Sequence, residues 1–274
     1  MGSEHARVNI QSLRMAVCAL CVGLALSGAT AQAADDEEGQ PASPVGSASQ
    51  PSAPSDFLIG APRAWFSFRG AQLFPRAGGD LFKFVSEQLT VDRGSLRSRG
   101  LAADIGIALG PRIDVVTGFD FTTHATSSEY RHFVASNAQP ITQTTEQKQT
   151  ALSIGTRYSP IGRGLSISRF AFIPRRVTPY VGGGATLAYY KFAQRGQFVD
   201  ANDLSIFTDR FVSNGWTVGP YVNGGADIQL WKRLYVSLDG RYSWLHSELD
   251  SDFSGFDGID LAGFRASSGF SVVF

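Results

Sequence analysis

The sequence predicts an all-β fold, an eight-stranded antiparallel up-and-down transmembrane β-barrel with a short helix in its first outer loop. Three observations predict it. Apolar and polar residues alternate with a period of two through most of the chain after Trp65. The alternating runs outlast the about five or six residues of a usual strand and approach the roughly 9 to 11 that a tilted strand needs to cross a bilayer. Connections between the runs are alternately short and long, as barrels of the outer membrane require.

Residues 1–33 have the layout of a secretory signal: Arg7 and Arg14 ahead of an apolar run from Val17 to Leu26, then Ala31-Gln32-Ala33 as a small-x-small cleavage site. The mature chain is expected to begin at Ala34. Both cysteines, Cys18 and Cys21, lie within the signal, so the mature chain has no thiol for a disulfide, a metal or a nucleophile. Lipidation of Cys21 fits poorly, because an apolar run and a cleavage site still follow it. Residues 34–59 open with Asp35, Asp36, Glu37 and Glu38, continue with Pro41, Pro44, Pro51 and Pro54, and read as a disordered acidic tether. The barrel takes 60–274. Without signal and tether there remain 22 basic side chains (24 less Arg7 and Arg14) and 18 acidic ones (24 less Glu4, Asp35 to Glu38 and Asp56), a balance that does not point to nucleic acid.

Strands are expected at 63–74, 98–109, 112–124, 149–159, 177–192, 215–230, 233–246 and 259–274. The last pair is clearest. Leu234, Val236, Leu238, Tyr242 and Trp244 alternate with Tyr235, Ser237, Asp239, Arg241 and Ser243, and Phe264, Phe270, Val272 and Phe274 alternate with Arg265, Ser267, Gly269 and Ser271. Any one of these strands would suit a soluble sandwich with its polar face to water. Eight of them suit a barrel filled by its own side chains, and backbone groups in lipid must all be paired, which forces the sheet to close. Gly110-Pro111 and Trp231-Lys232 are the short turns, and 160–176 is a long connection on the same side. An even strand count puts both termini on one side, expected to be the periplasm. The turns there carry Arg112, Arg163, Arg169, Arg175, Arg176, Lys232 and Arg233 without an acid, whereas the outer loops are acid-rich.

In the first outer loop, 80–89 reads as a helix with Asp80 as N-cap and Phe82, Val85 and Leu89 along one face, lying on headgroups or folded over the barrel mouth. Gly182 to Gly184 and Gly224-Gly225 lack the helix and lysine of a phosphate loop and are expected to leave gaps for Tyr180, Tyr190 or Tyr221. Pro179 and Pro220 each remove a ladder donor, at different heights. Trp65, Phe74, Tyr158, Tyr189, Trp216, Trp231 and Trp244 fit interfacial girdles.

By the same alternation Arg69, Asp104, Asp114, Asp120, Arg157, Asp227, Asp239, Arg241 and Arg265 face the lumen, five acids against four bases. Charges in so narrow a space are tolerable when paired or wet, so an ion-pair network that plugs the barrel is expected ahead of a conducting path.

The C-terminal Ser267-Ser268-Gly269-Phe270-Ser271-Val272-Val273-Phe274 resembles the assembly signal of bacterial outer-membrane barrels, carried by Ser267, Gly269, Val272 and Phe274. With the signal peptide and eight strands, the chain looks like the OmpA/OmpX/OmpW-like outer membrane protein β-barrel family. That resemblance implies insertion by the outer-membrane barrel machinery, and outer-membrane lipids and lipopolysaccharide as surroundings. It implies a non-enzymatic role in envelope structure and surface-loop presentation, with a narrow channel for small hydrophobic solutes as an alternative. Lipid A-modifying barrels supply a third possibility, but His124-Ala125-Thr126 and His246-Ser247 match only part of their His/Ser arrangement. No catalytic residue, cofactor or metal is assigned.

Overall fold

A computed structural model of the chain describes residues 58–274 apart from 92, 136, 137, 169, 201, 202 and 254. The expected signal peptide and all but the end of the expected tether lie outside the described residues. The strands are β1 (Ala64–Pro75), β2 (Ser98–Ala108), β3 (Ile113–Val134), β4 (Pro140–Tyr158), β5 (Gly164–Ser168), β6 (Ala171–Pro174), β7 (Val177–Val199), β8 (Ile206–Gln229), β9 (Leu234–Ser243), β10 (His246–Ser247), β11 (Ile259–Asp260) and β12 (Gly263–Val273), with one helix, α1 (Asp80–Gln88). Eight of these strands form a closed antiparallel barrel in the order β1-β2-β3-β4-β7-β8-β9-β12, with β12 pairing back onto β1. Two-stranded ribbons, β5–β6 and β10–β11, sit in connections.

The ladder also gives the tilt. A row of laterally paired residues starts at Gly224 and passes through Gly240, Ala266, Gln72, Arg99, Thr123, Lys148 and Lys191, returning to β8 at Asn214, ten residues from its start. Ten residue rises of about 3.3 Å against eight strand spacings of about 4.8 Å give a strand tilt of roughly 40°. An eight-stranded barrel of that tilt is just wide enough for side chains to fill.

Alternation then divides the wall. Phe68, Ile105, Phe119, Ile154, Val181, Val218 and Phe270 project outward and stay exposed on all sides of the barrel. So large a continuous apolar belt is stable only against lipid. Aromatic pairs edge it at the end away from the termini: Tyr189 with Trp216 (5.2 Å between rings), Tyr242 with Trp244 (4.8 Å) and Phe74 with Phe264 (6.4 Å). Tyr158 and Trp231 are exposed at the terminal end. Trp65 departs from the expected girdle. It shares the parity of Arg69, so it points inward, is 5% exposed, and its indole N–H donates to Asp114 at 3.2 Å.

Four barrel strands run far beyond the expected limits. β3 and β4 pair out to Glu129–Thr142, and β7 and β8 to Val199–Ile206, so the expected loops at 125–148 and 193–214 are two long hairpins. Together they make a four-stranded sheet that rises beyond the belt on one side of the mouth. The expected ends of the last two strands shorten in return, to Ser243 and Gly263, because 246–260 folds back over the lumen.

The helix folds into the mouth. Leu81, Phe82 and Val85 are buried with Leu89, Val91 and Leu96 against Ala151, Ala188, Tyr190 and Phe192 of the wall and Leu245, Phe253, Ile259 and Leu261 of the last connection. Its cap differs from expectation: Gly79, at φ 92°, holds the N-cap position, and Asp80 is the first helical residue. The Asp80 carboxylate instead accepts the Asp257 N–H at 2.8 Å, tying the first long connection to the last. At the other end the Arg131 guanidinium, from the raised part of β3, donates to the Leu89 carbonyl at 2.7 Å and the Ser86 carbonyl at 3.3 Å. Those are the orphan carbonyls that a helix C-terminus must satisfy.

At the terminal end, the 160–176 connection holds the β5–β6 ribbon. Leu58 exchanges both backbone hydrogen bonds with Phe172, at 2.8 and 3.0 Å, so the expected tether stops short of 59. The tyrosine gaps are also placed. A Cβ at Gly225 would come within 2.7 Å of the Tyr180 hydroxyl, as expected, while the Tyr221 hydroxyl lies over Gly155 (2.5 Å) and Tyr190 over Gly215, neither of them among the expected glycines. Pro179 and Pro220 stand opposite Ala226 and Ala185, well apart along the β7–β8 ladder.

Candidate functional site

Among the described residues the lumen is where chemistry-bearing side chains converge, and it is layered. Nearest the termini, Arg157 pairs with Asp227 and stands 3.8 Å from Asp114. Its guanidinium lies over the rings of Trp65 (4.6 Å) and Tyr180 (3.8 Å), the stacking that guanidinium favours over ammonium. Above it, Arg69 pairs with Asp104 and donates to Ser67 (3.1 Å) and Ser237 (3.4 Å). Asp239 accepts from Tyr180 (3.1 Å) and Asn223 (2.9 Å).

Higher again, Arg241 bridges Asp104 at 3.5 Å and Asp120 at 3.1 Å, donates to Ser153 at 3.0 Å and lies over the Tyr221 ring at 4.4 Å. Arg265 pairs with Asp120 and stands 3.5 Å from Asp239. All nine charged residues assigned to the lumen are therefore buried, and their ion pairs form two sets: Arg157 with Asp114 and Asp227, and a continuous chain from Arg69 through Asp104, Arg241, Asp120 and Arg265 to Asp239.

One member of the lower set was not expected. Arg163, in the connection after β4, turns up into the barrel and places Nη1 3.2 Å from Asp114, while its other nitrogen donates to the Gly110 carbonyl at 2.6 Å. Five bases then meet five acids. Its position on a turn, outside any alternating strand, gave no parity by which to assign it.

Glycines make the space. A Cβ on Gly118 would stand 2.7 Å from the Ser153 hydroxyl and crowd Asp104, and one on Gly269 would stand 2.6 Å from the Arg69 Cα. Of the assembly-signal residues, Ser267 and Gly269 face the lumen, Val272 faces outward opposite Phe66, and Phe274 is exposed at the end of the wall.

Little volume is left. Gaps of about 30 Å³ near Arg163 and Phe172, about 10 Å³ around Arg69 and about 40 Å³ between the charges and the apolar mouth remain inside. Each has room for a few waters and no more. His124 is half-buried with its ring beside backbone of Ser95 and Arg97, and His246 sits opposite Asp260 in the β10–β11 ribbon.

No family model and no curated protein matches the sequence. Solved structures do match. The outer membrane protein OprG from Pseudomonas aeruginosa is 13% identical over 79% of this chain and 99% of its own, at a TM-score of 0.49. Neisserial surface protein A is 13% identical over 80% and 98%, at 0.39, and a major outer membrane protein from Thermus thermophilus is 15% identical over 77% and 99%, at 0.42.

In fold, the chain is similar to bacterial outer-membrane barrels.

The barrel's own closed ladder and outward apolar belt carry the architecture, and the likeness extends to nothing beyond fold.

Proposed function

We propose that this is a closed, non-enzymatic outer-membrane barrel, with its termini in the periplasm, that anchors the raised β3-β4-β7-β8 sheet outside the cell. The observation that carries it is the double seal of the lumen: a charge-balanced layer of five aspartates and five arginines under an apolar plug built on α1. Each guanidinium is engaged by carboxylates, so a hydrated ion would have to displace a partner from a low-dielectric site, which is strongly unfavourable. The plug adds a second barrier, since Leu81, Phe82 and Val85 pack against Tyr190 and Phe192 of the wall across the mouth.

Orientation is supported by the connections on the side of the termini, which expose Arg112, Arg175, Arg176, Lys232 and Arg233, and by the acids Asp200, Asp203 and Asp209 at the far end of the β7–β8 hairpin. Assembly through the final strand is supported by its position: β12 closes the ring on β1 and must present a free edge until it does.

The test is single-channel recording of the refolded mature chain in planar bilayers. No discrete conductance steps are expected. Steady steps in wild type would overturn the closed lumen in favour of a channel. A single cysteine at Ser205 of the otherwise thiol-free mature chain should react with an impermeant maleimide on intact cells, and labelling only after outer-membrane disruption would reverse the orientation.

A further inference from the structure

The ladder row that sets the barrel's tilt changes character half-way round. From Gly224 through Gly240 and Ala266 to Gln72 it is nearly devoid of bulk, and with Gly70 and Ser268 it forms a trough of about 800 Å³ in the outward wall, banked by Leu238 and Phe264. From Arg99 onward the same row carries Arg99, Lys148 and Lys191, all exposed on the outward face. None of these three cations has an ion-pair partner among the described residues.

Packing accounts for only the middle of this trough, where a Cβ on Gly240 would come within 3.0 Å of the Phe264 ring. Most of the barrel's glycines have backbone or buried polar groups where a side chain would go. A Cβ on Gly70 would meet nothing nearer than the Ser268 carbonyl at 3.9 Å, and one on Gly224 nothing nearer than the Tyr180 carbonyl at 3.5 Å. The row climbs at about 40°, so the trough descends from Arg99 across four strand spacings, about 19 Å of path and about 12 Å of depth. One leaflet is about 15 Å deep. A cationic end at the edge of the belt and a bulk-free channel running down from it fit an amphiphile with a fatty chain and an anionic head.

We propose that this diagonal seats one lipopolysaccharide molecule of the outer leaflet, an acyl chain in the trough and sugar phosphates against Arg99, Lys148 and Lys191. The proposal rests on the orientation given above. The three cations span three strand spacings, about 14 Å, which suits a disaccharide phosphorylated at both ends better than the single phosphate of a phospholipid. Guanidinium takes phosphate through paired charge-assisted hydrogen bonds, and a lysine ammonium takes it as a point charge on a flexible stem. A chain lying in this shallow trough comes close to the wall backbone and gains dispersion contacts there.

The test refolds the mature chain into phosphatidylcholine nanodiscs holding a minor fraction of rough-type lipopolysaccharide, transfers it to mild detergent and counts retained lipid per barrel by native mass spectrometry. Wild type is expected to keep one lipopolysaccharide. Gly70→Leu with Gly224→Leu, which fills the trough, and Arg99→Glu, which reverses its head charge, should each lower retention about tenfold, the scale of one lost charge-assisted contact. Lipopolysaccharide stripped of phosphate should be lost from wild type to the same degree, and Ile105→Leu elsewhere on the wall should change nothing.

Equal retention by all variants, each verified as folded by its heat-modifiable gel mobility, overturns the seat. So does a dimer that the trough substitutions split, because a second copy then occupies the groove. Retention of phosphatidylcholine in place of lipopolysaccharide overturns it too, because the trough then selects no phosphorylated sugar. Conductance is silent in every one of these cases if the lumen is closed, so the two proposals fail separately.

Discussion

Arg163 reaches 3.2 Å from Asp114 across the floor of the lumen and, from a turn, evens the charge of a layer otherwise built from strands. Asp114 is 1% exposed in its side chain and has Arg157 3.8 Å away and the Trp65 indole at 3.2 Å as its other partners. Arg241 is more central, since it alone joins Asp104 to Asp120.

Breaking the layer should therefore cost unequal amounts. Arg241→Met takes one partner from each of two buried carboxylates, leaving Asp104 to Arg69 and Asp120 to Arg265 and the layer one positive charge short, and a loss of about 3 kcal/mol is expected. Arg163→Gln removes a partly exposed base from an acid that keeps two partners, for which about 1–2 kcal/mol is expected. Urea titration of the barrel refolded in detergent micelles measures both. Equal losses would show that the layer is not organised around Arg241.

The glycines under this layer should resist the smallest enlargement. Gly269→Ala forces a methyl group to within 2.6 Å of the Arg69 Cα, on a strand pinned from both sides, and there is no flexible side chain there to give way. Overpacking of that kind costs about 1–3 kcal/mol. Gly70→Ala, with nothing nearer than 3.9 Å, is the matched control one row away and should be close to neutral. Refolding yield by heat-modifiable gel mobility separates the two, and because Gly269 also lies in the C-terminal assembly pattern, refolding in micelles without any insertion machinery isolates the packing effect.

What the sequence made legible follows from where lipid imposes a rule. Within the belt, one face must be apolar, so the parity of Arg69, Asp120 or Arg241 could be read directly. Trp65 obeys the same parity; only its residue type suggested a girdle. Beyond the belt both faces of a strand meet polar surroundings, and the rule lapses. Ile141, Gln143, Thr145 and Gln147 are buried over the mouth while Thr142 and Lys148 face out, but Gln and Thr on both faces leave no hydrophobic alternation to follow. The Thr-rich, β-branched run was the remaining strand signal there. Arg163 and the Gly79 cap belong to connections, where side-chain direction depends on turn geometry that periodicity does not encode.

The two seals should act independently. Replacing Leu81–Gln88 by a Gly-Ser linker removes the apolar plug but leaves Arg69, Arg241 and Arg265 paired below it, so planar bilayers should remain silent. Adding Arg241→Ala and Arg265→Ala to that deletion opens the second barrier, and discrete steps are expected only then. Steps from the plug deletion alone would place the whole seal in the mouth and reduce the charged layer to a structural element.

The raised sheet has an edge to protect. Beyond Pro220, β8 loses β9 as a partner, and its successive outward amides go to acids: Asn214 N–H to Asp250 at 2.9 Å, Val212 N–H to Asp252 at 3.0 Å and Arg210 N–H to Asp209 at 2.7 Å. Carboxylates on an edge both satisfy its donors and repel a second strand. Asp250→Ala with Asp252→Ala should speed hydrogen exchange at Val212 and Asn214 by about tenfold, the equivalent of one hydrogen bond of ~1.5 kcal/mol, and should promote association of the folded barrel on sedimentation. Unchanged exchange would mean that the 250–253 turn covers the edge by packing alone.

The belt itself can be tested at Val236, which faces outward in β9 between Ile228 and Phe270 on its neighbouring strands. An arginine there must leave its charge in hydrocarbon or drag water to it, and about 2–4 kcal/mol of destabilisation is expected near the midplane. The same substitution at Trp231, exposed at the turn beyond the belt, should cost no more than about 1 kcal/mol. Because Val236 points outward and is partly exposed on the protein, a soluble barrel would tolerate Val236→Arg nearly as readily as Trp231→Arg. Refolding titrations in phosphatidylcholine vesicles therefore weigh lipid against water at a named position, and a near-neutral Val236→Arg would falsify the membrane-spanning belt.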